Sequence, residues 1–550
     1  MKDDDKLLQE AKEAFERAQD NDGVNYQLAL DDMCFARLGD QWSDEDRKVR
    51  DVEGRPCLTV NKLPAFTRQV VNDARLNKPS ITTHPVDSQS DPDTAAVING
   101  LIRNIETVSS ADTAYLTALA SACDGGLGYF RITMDYAYDD VFDMDIQIER
   151  VKNPLTVHGD PHSTSLDGSD WNSAFVSEWI PNERFKKDYP NATLSDWEDS
   201  YDESWQQKDE VRVAEYWKRV EVERKVVMLT DGTIMEREQF DAQEALFLTA
   251  GFQVVRERTA QSYKVTQYII TGEEVLETND WPGKYIPIVP VYGEEVAVEG
   301  RTYYKSLIRD AKDSQKLYNF FRSAQAESVV LGTKSPWLGP VGAFDTDSDK
   351  WGTANTENHA YLEFDGPIPP QRINPPAVNM AAVQEALTAN DEIKAVIGMH
   401  DASLGARSNE VSGRAIMVRQ REGDISTFHF MDNLSKSIRQ GGRILVDLIP
   451  KVYDKPRMIR VLGQEEESEN VQINKRFNAK GEDKIYDLTT GKYDVTVRSG
   501  PSFTSKREEA ATQMIELLRN FPQAAPVIGD LLAKNLDWPG ADEIAKRLKS

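Results

Sequence analysis

The stretch YKSLIRDAKDSQKLYNFFRSAQAESVVLG, residues 304–332, decides the architecture. Tyr304, Leu307, Ile308, Ala311, Tyr318 and Phe321 are spaced as one face of an amphipathic helix requires. The pattern stops near Gly332. Residues 333–377 are proline-rich and lack a helical period, yet they hold Trp337 and Trp351. Flexible linkers rarely carry two tryptophans, so this segment is a compact irregular insertion. Helical spacing resumes over 378–397 and breaks between Gly398 and Gly405. A third helix is expected over 409–449, with Val411, Ala415, Val418, Ile425, Phe428, Met431, Ile438, Leu445 and Leu448 spaced by threes, fours and sevens. At about 1.5 Å per residue it would reach about 60 Å, with Gly423 and Gly441-Gly442 as bend points. Helix, insertion, helix, glycine break and very long helix describe a hairpin stalk with a knob at its tip.

Upstream, the character is different. Residues 129–134, 143–149, 175–179, 211–219, 225–230 and 265–271 alternate apolar and polar side chains, as half-buried strands do. The chain from about 125 to 300 is therefore a β-rich block. Helices precede it: a surface helix over 5–20, a second around 25–38, a third over 63–76, one capped by Asp91 and one over 112–123 ended by Gly125-Gly126. Downstream of the long helix a strand pair, 458–461 and 493–498, flanks an acidic stretch. The last 50 residues are helical, with Ser505-Lys-Arg-Glu508 as a capping box and Pro522, Pro526 and Pro539 as punctuation. The fold class is mixed α/β (α+β), with no internal repeat.

At 550 residues the chain exceeds what one core usually serves. Acidic side chains outnumber basic ones 92 to 65, a net charge of −27. Such a surface does not coat nucleic acid broadly, and anionic membranes repel it. No apolar run approaches the roughly 18 residues of a membrane span, and the opening Met1-Lys-Asp-Asp-Asp5 lacks a signal peptide's apolar core. Three cysteines, Cys34, Cys57 and Cys123, show no CxxC spacing and suggest reduced thiols in a cytoplasmic setting.

Catalytic chemistry has no foothold. Gly283-Lys284 and Gly491-Lys492 lack the upstream glycine and following Ser/Thr of a phosphate-binding loop. Gly125-Gly-Leu-Gly128 sits between a helix and a strand, the reverse of the dinucleotide-binding order. Asp143 and Asp145 share one strand face opposite Met144, Ile146 and Ile148, so they belong to the wet side. His158-Gly-Asp-Pro-His162 offers ligands without a zinc geometry, because Pro161 forbids a helix; these are taken as polar loop residues. No catalytic residue, metal site or cofactor is nominated. Aromatics between Trp179 and Trp217 have no interleaved basic residues and are assigned to packing. Residues 405–443 carry Arg407, Arg414, Arg419, Arg421, Lys436, Arg439 and Arg443 against four acidic side chains. An ordinary charged helix and a surface that meets phosphate in passing both fit that balance.

Several stretches resemble the portal (head-to-tail connector) proteins of tailed phages, in the branch known from short-tailed phages. They are Arg55-Pro-Cys-Leu-Thr-Val-Asn61, Asp124-Gly-Gly-Leu-Gly-Tyr-Phe-Arg131 and Pro287-Ile-Val-Pro-Val-Tyr-Gly293. Ile308-Arg-Asp-Ala-Lys-Asp-Ser-Gln315 with Tyr318-Asn319 follows, then Ser408-Asn-Glu-Val-Ser-Gly-Arg-Ala415. The resemblance covers roughly residues 20–550. It implies a homo-oligomeric ring of about twelve subunits around a channel for double-stranded DNA, at one capsid vertex of the virion. Assembly would take place in the host cytoplasm. Implied partners are the terminase large subunit, the major capsid protein and a tail adaptor or head completion protein, with no membrane. The implied parts are a wing (1–300), stem helices (301–332 and 378–397), a clip (333–377), a tunnel loop (398–413), a long wing helix with its β segment (409–499) and a crown (500–550). Tunnel-loop candidates for the DNA channel are Gly398, Gly405, Arg407, Ser408, Asn409, Gly413 and Arg414. Clip-interface candidates are Trp337, Trp351, Tyr361 and Phe364. Another virion part, such as a tail adaptor or minor capsid protein, and a nucleic-acid-processing enzyme are the rival readings.

Overall fold

The computed structural model describes residues 2–86, 90–193, 204–230, 232, 234–242, 244–249, 251–333, 335–373, 380–399, 427–463, 468–475, 477–479, 482–484, 486–489, 491–499, 503–536, 544, 547 and 548. Helices and sheets both build it, as the mixed α/β pattern requires. The N-terminal 32 residues are one helix, Lys2–Met33, where two were expected. Its apolar stripe lays Ala11, Phe15 and Ala18 against Phe175, Trp205 and Tyr216 of the β block. It continues past Gly23 because Asn25 is held on the far side: its side chain bonds both Thr302 O (2.9 Å) and Tyr304 N (3.2 Å).

Local signals set the next helices. Asp91 accepts the Thr94 N–H at 3.2 Å and starts Pro92–Val108. Ala111–Gly125 ends at Gly126, which has φ +86 and whose added Cβ would lie 2.6 Å from Tyr304 O. These helices pack on a three-stranded sheet in the order Ile288–Tyr292, Leu127–Tyr136, Met144–Arg150. All five residues of Ile288–Tyr292 are buried, so its uniform apolarity marks a strand covered on both faces. A larger sheet runs Val157–His158, Ser173–Pro181, Glu210–Leu229, Val254–Ile270, Val275–Trp281. The expected strands 211–219 and 225–230 are one continuous 20-residue strand.

Helix Phe428–Val452 lies across the small sheet, with Ser437 donating to Pro290 O and Asn433 to Tyr292 O and Gly293 O. It passes through Gly441-Gly442 without interruption. These glycines serve contact: a Cβ on Gly442 would lie 2.7 Å from Val495 and 3.0 Å from Ile81. Those two residues belong to a distant strand pair, Pro79–Pro85 with Tyr493–Ser499. The expected pairing of 458–461 with 493–498 is therefore corrected, and Met458–Leu462 pairs instead with Ser468–Gln472. The helix of the last 50 residues begins at Phe503, so Ser505 lies within it rather than at its start. His158 is also reassigned. It is 5% exposed, stacked on Tyr26 at 4.9 Å and edge-on to Phe15 at 5.3 Å, a core residue of the N-terminal helix contact. The strand Met144–Arg150 does bury Ile146 and Ile148, and Asp145 within it and Asp143 just before it both face Arg457.

Between the helices Pro92–Val108 and Ala111–Gly125, the Tyr115 hydroxyl donates to Glu106 at 3.1 Å. Burial pushes the Glu106 carboxyl up to about 7, against the lowering pull of that hydrogen bond. The folded chain thus holds a proton that the unfolded chain releases above about pH 4.5. Stability falls as pH climbs from there towards 7. Glu106→Gln, which cannot ionise, should match wild type at pH 4 and exceed it by about 1–2 kcal/mol at pH 8. Urea midpoints at the two pH values read the difference; an equal effect at both contradicts the assignment.

Candidate functional site

Two helices, Lys312–Thr333 and Met380–Ile397, form an antiparallel hairpin, with Ser314 reaching Glu392 near one end and Gln325 bonding Ala382 O towards the other. The first was expected from residue 301. Instead Arg301–Lys305 is a strand paired with Glu294–Val298, and a short turn Arg309–Ala311 leads into the helix at Lys312. The apolar spacing of Tyr304, Leu307, Ile308 and Ala311 runs across strand and turn alike.

The base of this hairpin is fixed by buried polar groups. Asp32, 1% exposed, receives Ser306 Oγ (2.7 Å), Arg309 Nε (2.8 Å) and Lys312 Nζ (2.8 Å). Lys312 also meets Asp31, which balances two cations with two carboxylates. An isolated carboxylate this deep would cost several kcal/mol; the paired arrangement offsets that cost.

Along the hairpin's side runs the irregular segment 55–62. Ser323 Oγ accepts the Leu58 N–H (2.9 Å), Asn319 Oδ1 the Val60 N–H (3.0 Å) and Gln315 Oε1 the Lys62 N–H (3.2 Å). Gln315 donates back to Val60 O at 2.9 Å, and Asn319 to Gln41 Oε1 at 2.6 Å. The three helix side chains are fully buried. The match is metric: four helical residues rise about 6 Å and two extended residues about 6.6 Å. A polar helix stripe thus replaces the second strand of a β-ladder and straps the hairpin to the N-terminal region.

The described stretches quoted for the resemblance meet here. Residues 55–61 are the strap, and 308–319 supply Arg309, Lys312, Gln315 and Asn319. Asp124 pairs with Arg37 (2.5 Å) and Thr67 (2.8 Å), and burial holds its carboxyl above the ordinary value despite both. Residues 287–293 provide the buried edge strand of the three-stranded sheet. Sequence reasoning gave Gln315, Asn319, Ser323 and Asp32 no role of their own; their spacing of four on one helix face was the available signal for the first three.

Large apolar side chains stand exposed on the hairpin among charged ones such as Lys316, Glu385 and Glu392. Leu317, Phe320, Val329 and Val330 on the first helix and Leu387 and Val396 on the second stand exposed. Leu58 and Val60 of the strap and Val49 and Val52 of the helix Asp44–Val52 are exposed as well. Arg50 covers Phe320 at 5.1 Å and Trp42 at 4.9 Å, tying that helix to the hairpin.

The insertion between the helices is closed at its root by a two-residue strand pair, Trp337–Leu338 with Gln371–Arg372. Trp351 packs edge-on to Trp337 (5.0 Å) and Phe344 (5.2 Å), and its Nε1 donates to Glu363 O at 2.8 Å. Asp347 accepts the Glu363 N–H at 2.8 Å and pairs with Lys350, which together hold its carboxyl below the usual range. Tyr361 lies against Lys350 and is 65% exposed; Phe364, Leu338, Val341 and Ile368 are exposed too. Thus Trp337 and Trp351 form the knob's interior, with Tyr361 and Phe364 on its outside.

Gly398 ends the second helix with φ +78, and its N–H bonds Lys394 O at 2.9 Å. Gly405, Arg407, Ser408, Asn409, Gly413 and Arg414 lie outside the described residues. In the basic segment, Lys436 pairs with Asp432 and Arg443 with Asp167. Among the described residues no cluster of three His, Cys, Asp or Glu side chains is disposed to hold a metal ion, and no helix is long and apolar enough to cross a membrane.

The structure thus holds a hairpin braced from within its own chain, with large apolar side chains left exposed on it. The chain belongs to the phage P22-like portal protein family, whose description matches residues 12–550. The portal protein of Acyrthosiphon pisum secondary endosymbiont phage 1 is similar, 25% identical over 564 aligned positions that span 96% of this chain and 78% of that relative. The role is that of a phage portal structural protein, part of an oligomeric ring in the capsid.

Replacing Asn319 by Leu strands the Val60 N–H and the Gln41 amide in the interior. It should destabilise the protein by about 2–4 kcal/mol, against about 1–2 kcal/mol for Ser323→Ala, which loses one bond. Denaturation midpoints of the two variants give the ranking, and the reverse order contradicts the strap.

Proposed function

We propose that about twelve copies form a closed ring, with the helical hairpin as stem, the insertion as clip, residues 398–413 as tunnel loop, the long helix as part of the wing and the C-terminal helices as crown. The observation that carries this reading is the set of large apolar side chains left exposed on a hairpin that is braced from within its own chain. A heterologous contact with a closing rotation covers such side chains in every copy at once. DNA passes through the channel during packaging, retention and ejection. The chain is a conduit without catalysis of its own, and ATP hydrolysis belongs to the terminase that docks during filling. Clip aromatics Tyr361 and Phe364 contribute to the rim that meets the terminase large subunit and later the tail adaptor, while the wing faces the major capsid protein. Assembly takes place in the host cytoplasm, and the ring ends at one vertex of the virion.

Electrostatics suit passage. Twelve copies carry about −320 in formal charge, and an acidic ring holds phosphate weakly. Arg407 and Arg414 in the glycine-punctuated tunnel loop give sparse cationic contact, with Gly398, Gly405 and Gly413 supplying backbone freedom around Ser408 and Asn409.

Native mass spectrometry at micromolar concentration and moderate salt tests the ring. Wild type should appear as closed rings of about twelve, with eleven or thirteen equally acceptable. Leu387→Glu/Val396→Glu, which alters two side chains exposed in the single subunit, should give folded monomers. Wild-type monomers, or rings unaffected by the double substitution, contradict the stem assignment.

A further inference from the structure

We propose a second contact between ring neighbours: the aromatic, acidic tip of one copy's β-hairpin docks on the cationic face of the next copy's long β-arm. The inference rests on the family's ring and adds the surfaces that meet outside the stem.

The tip joins Leu127–Tyr136 to Met144–Arg150. It exposes Tyr136, Tyr138 and Phe142, the last two at 73% and 89%. Three large aromatics on one loop form the kind of anchor cluster that buried interface centres use. Asp139 and Asp140 stand between them, both exposed.

The arm is the outer part of the pair Glu210–Leu229 and Val254–Ile270. The neighbouring strand Ser173–Pro181 stops pairing at Lys218, and Val275–Trp281 stops at Val265. Across residues 220–225 the arm is two-stranded, a form that is marginal in water without cover. One face gains cover: Val227 and Leu229 pack with Phe240. The opposite face pairs Val226 with Arg258 and Met228 with Arg256, and no acidic side chain shares it between residues 220 and 228 or 256 and 264. At its base this face is covered by the N-terminal helix, where Lys218 bonds Glu10 at 2.6 Å. Among the described residues no ion pair engages Arg256, Arg258, Asp139 or Asp140.

A heterologous ring contact needs two different, complementary patches on every subunit. Here an acidic aromatic patch and a cationic aliphatic one both stand exposed on one chain of net charge −27. Arginine guanidinium groups meet carboxylates and aromatic faces alike, so the pairing matches in charge and in shape.

The test is a charge exchange on exposed positions, read as the salt concentration at which half the rings dissociate in native mass spectrometry. Asp139→Arg/Asp140→Arg and, separately, Arg256→Glu/Arg258→Glu should each lower that midpoint about twofold or more, because the contact is electrostatic and screened. The fourfold variant should return to within about 20% of wild type. Intact rings with no shift in either reversal, or shifts without rescue, overturn the docking while leaving the ring standing. A wild type that remains monomeric overturns both.

Discussion

Everything at the centre of the molecule depends on keeping buried polar groups at the hairpin's base satisfied. Asp32 cannot sit at 1% exposure without its cations, and the strap cannot bury three backbone N–H groups without Gln315, Asn319 and Ser323. Those demands explain the larger layout. The N-terminal helix must run unbroken past Gly23 to deliver Asp32. Strand Arg301–Lys305 must turn at Ser306 to bring Arg309 and Lys312 to it. The strap must lie in one register, because a shift of one residue turns its N–H groups away from the helix.

This bracing separates two jobs that a ring-forming subunit must do together. Polar, directional contacts fix the hairpin to its own chain, so the helix pair keeps one orientation. The large apolar side chains exposed elsewhere on the hairpin are the ones proposed to meet a neighbour. Leu387 and Val396 are exposed at a surface that is already rigid, so covering them costs little ordering entropy. The insertion repeats the scheme on a small scale: Trp337, Phe344 and Trp351 fill its interior, and Tyr361 and Phe364 face out.

Much of the secondary structure was legible because its causes are local. Asp91 caps its helix, Gly126 stops the next, and Leu63–Leu76 starts and ends where its apolar spacing does. Misreadings arose where a distant partner decides. Tyr304, Leu307 and Ile308 have helical spacing, but Asn25 pins Tyr304 into a strand. Gly441-Gly442 suggested a bend, yet Ile81 and Val495 press against the helix there. His158 looked like a loop residue because Tyr26 and Phe15, its cover, lie more than 130 positions away. Nothing local in Arg55-Pro-Cys-Leu-Thr-Val-Asn61 announces that a helix side-chain stripe will bond it. In the insertion 333–377, the aromatics Trp337, Trp351, Tyr361 and Phe364 stand out in the sequence. Which of them pack inside follows only from the knob's own closure.

The strap is an integral part of the folded core. Hydrogen–deuterium exchange with residue-level fragmentation measures it directly. The amides of Leu58, Val60 and Lys62 should exchange as slowly as those of the buried strand Ile288–Tyr292, alternating with faster neighbours Thr59 and Asn61. Exchange of all five at unprotected loop rates, while that strand stays protected, would contradict it.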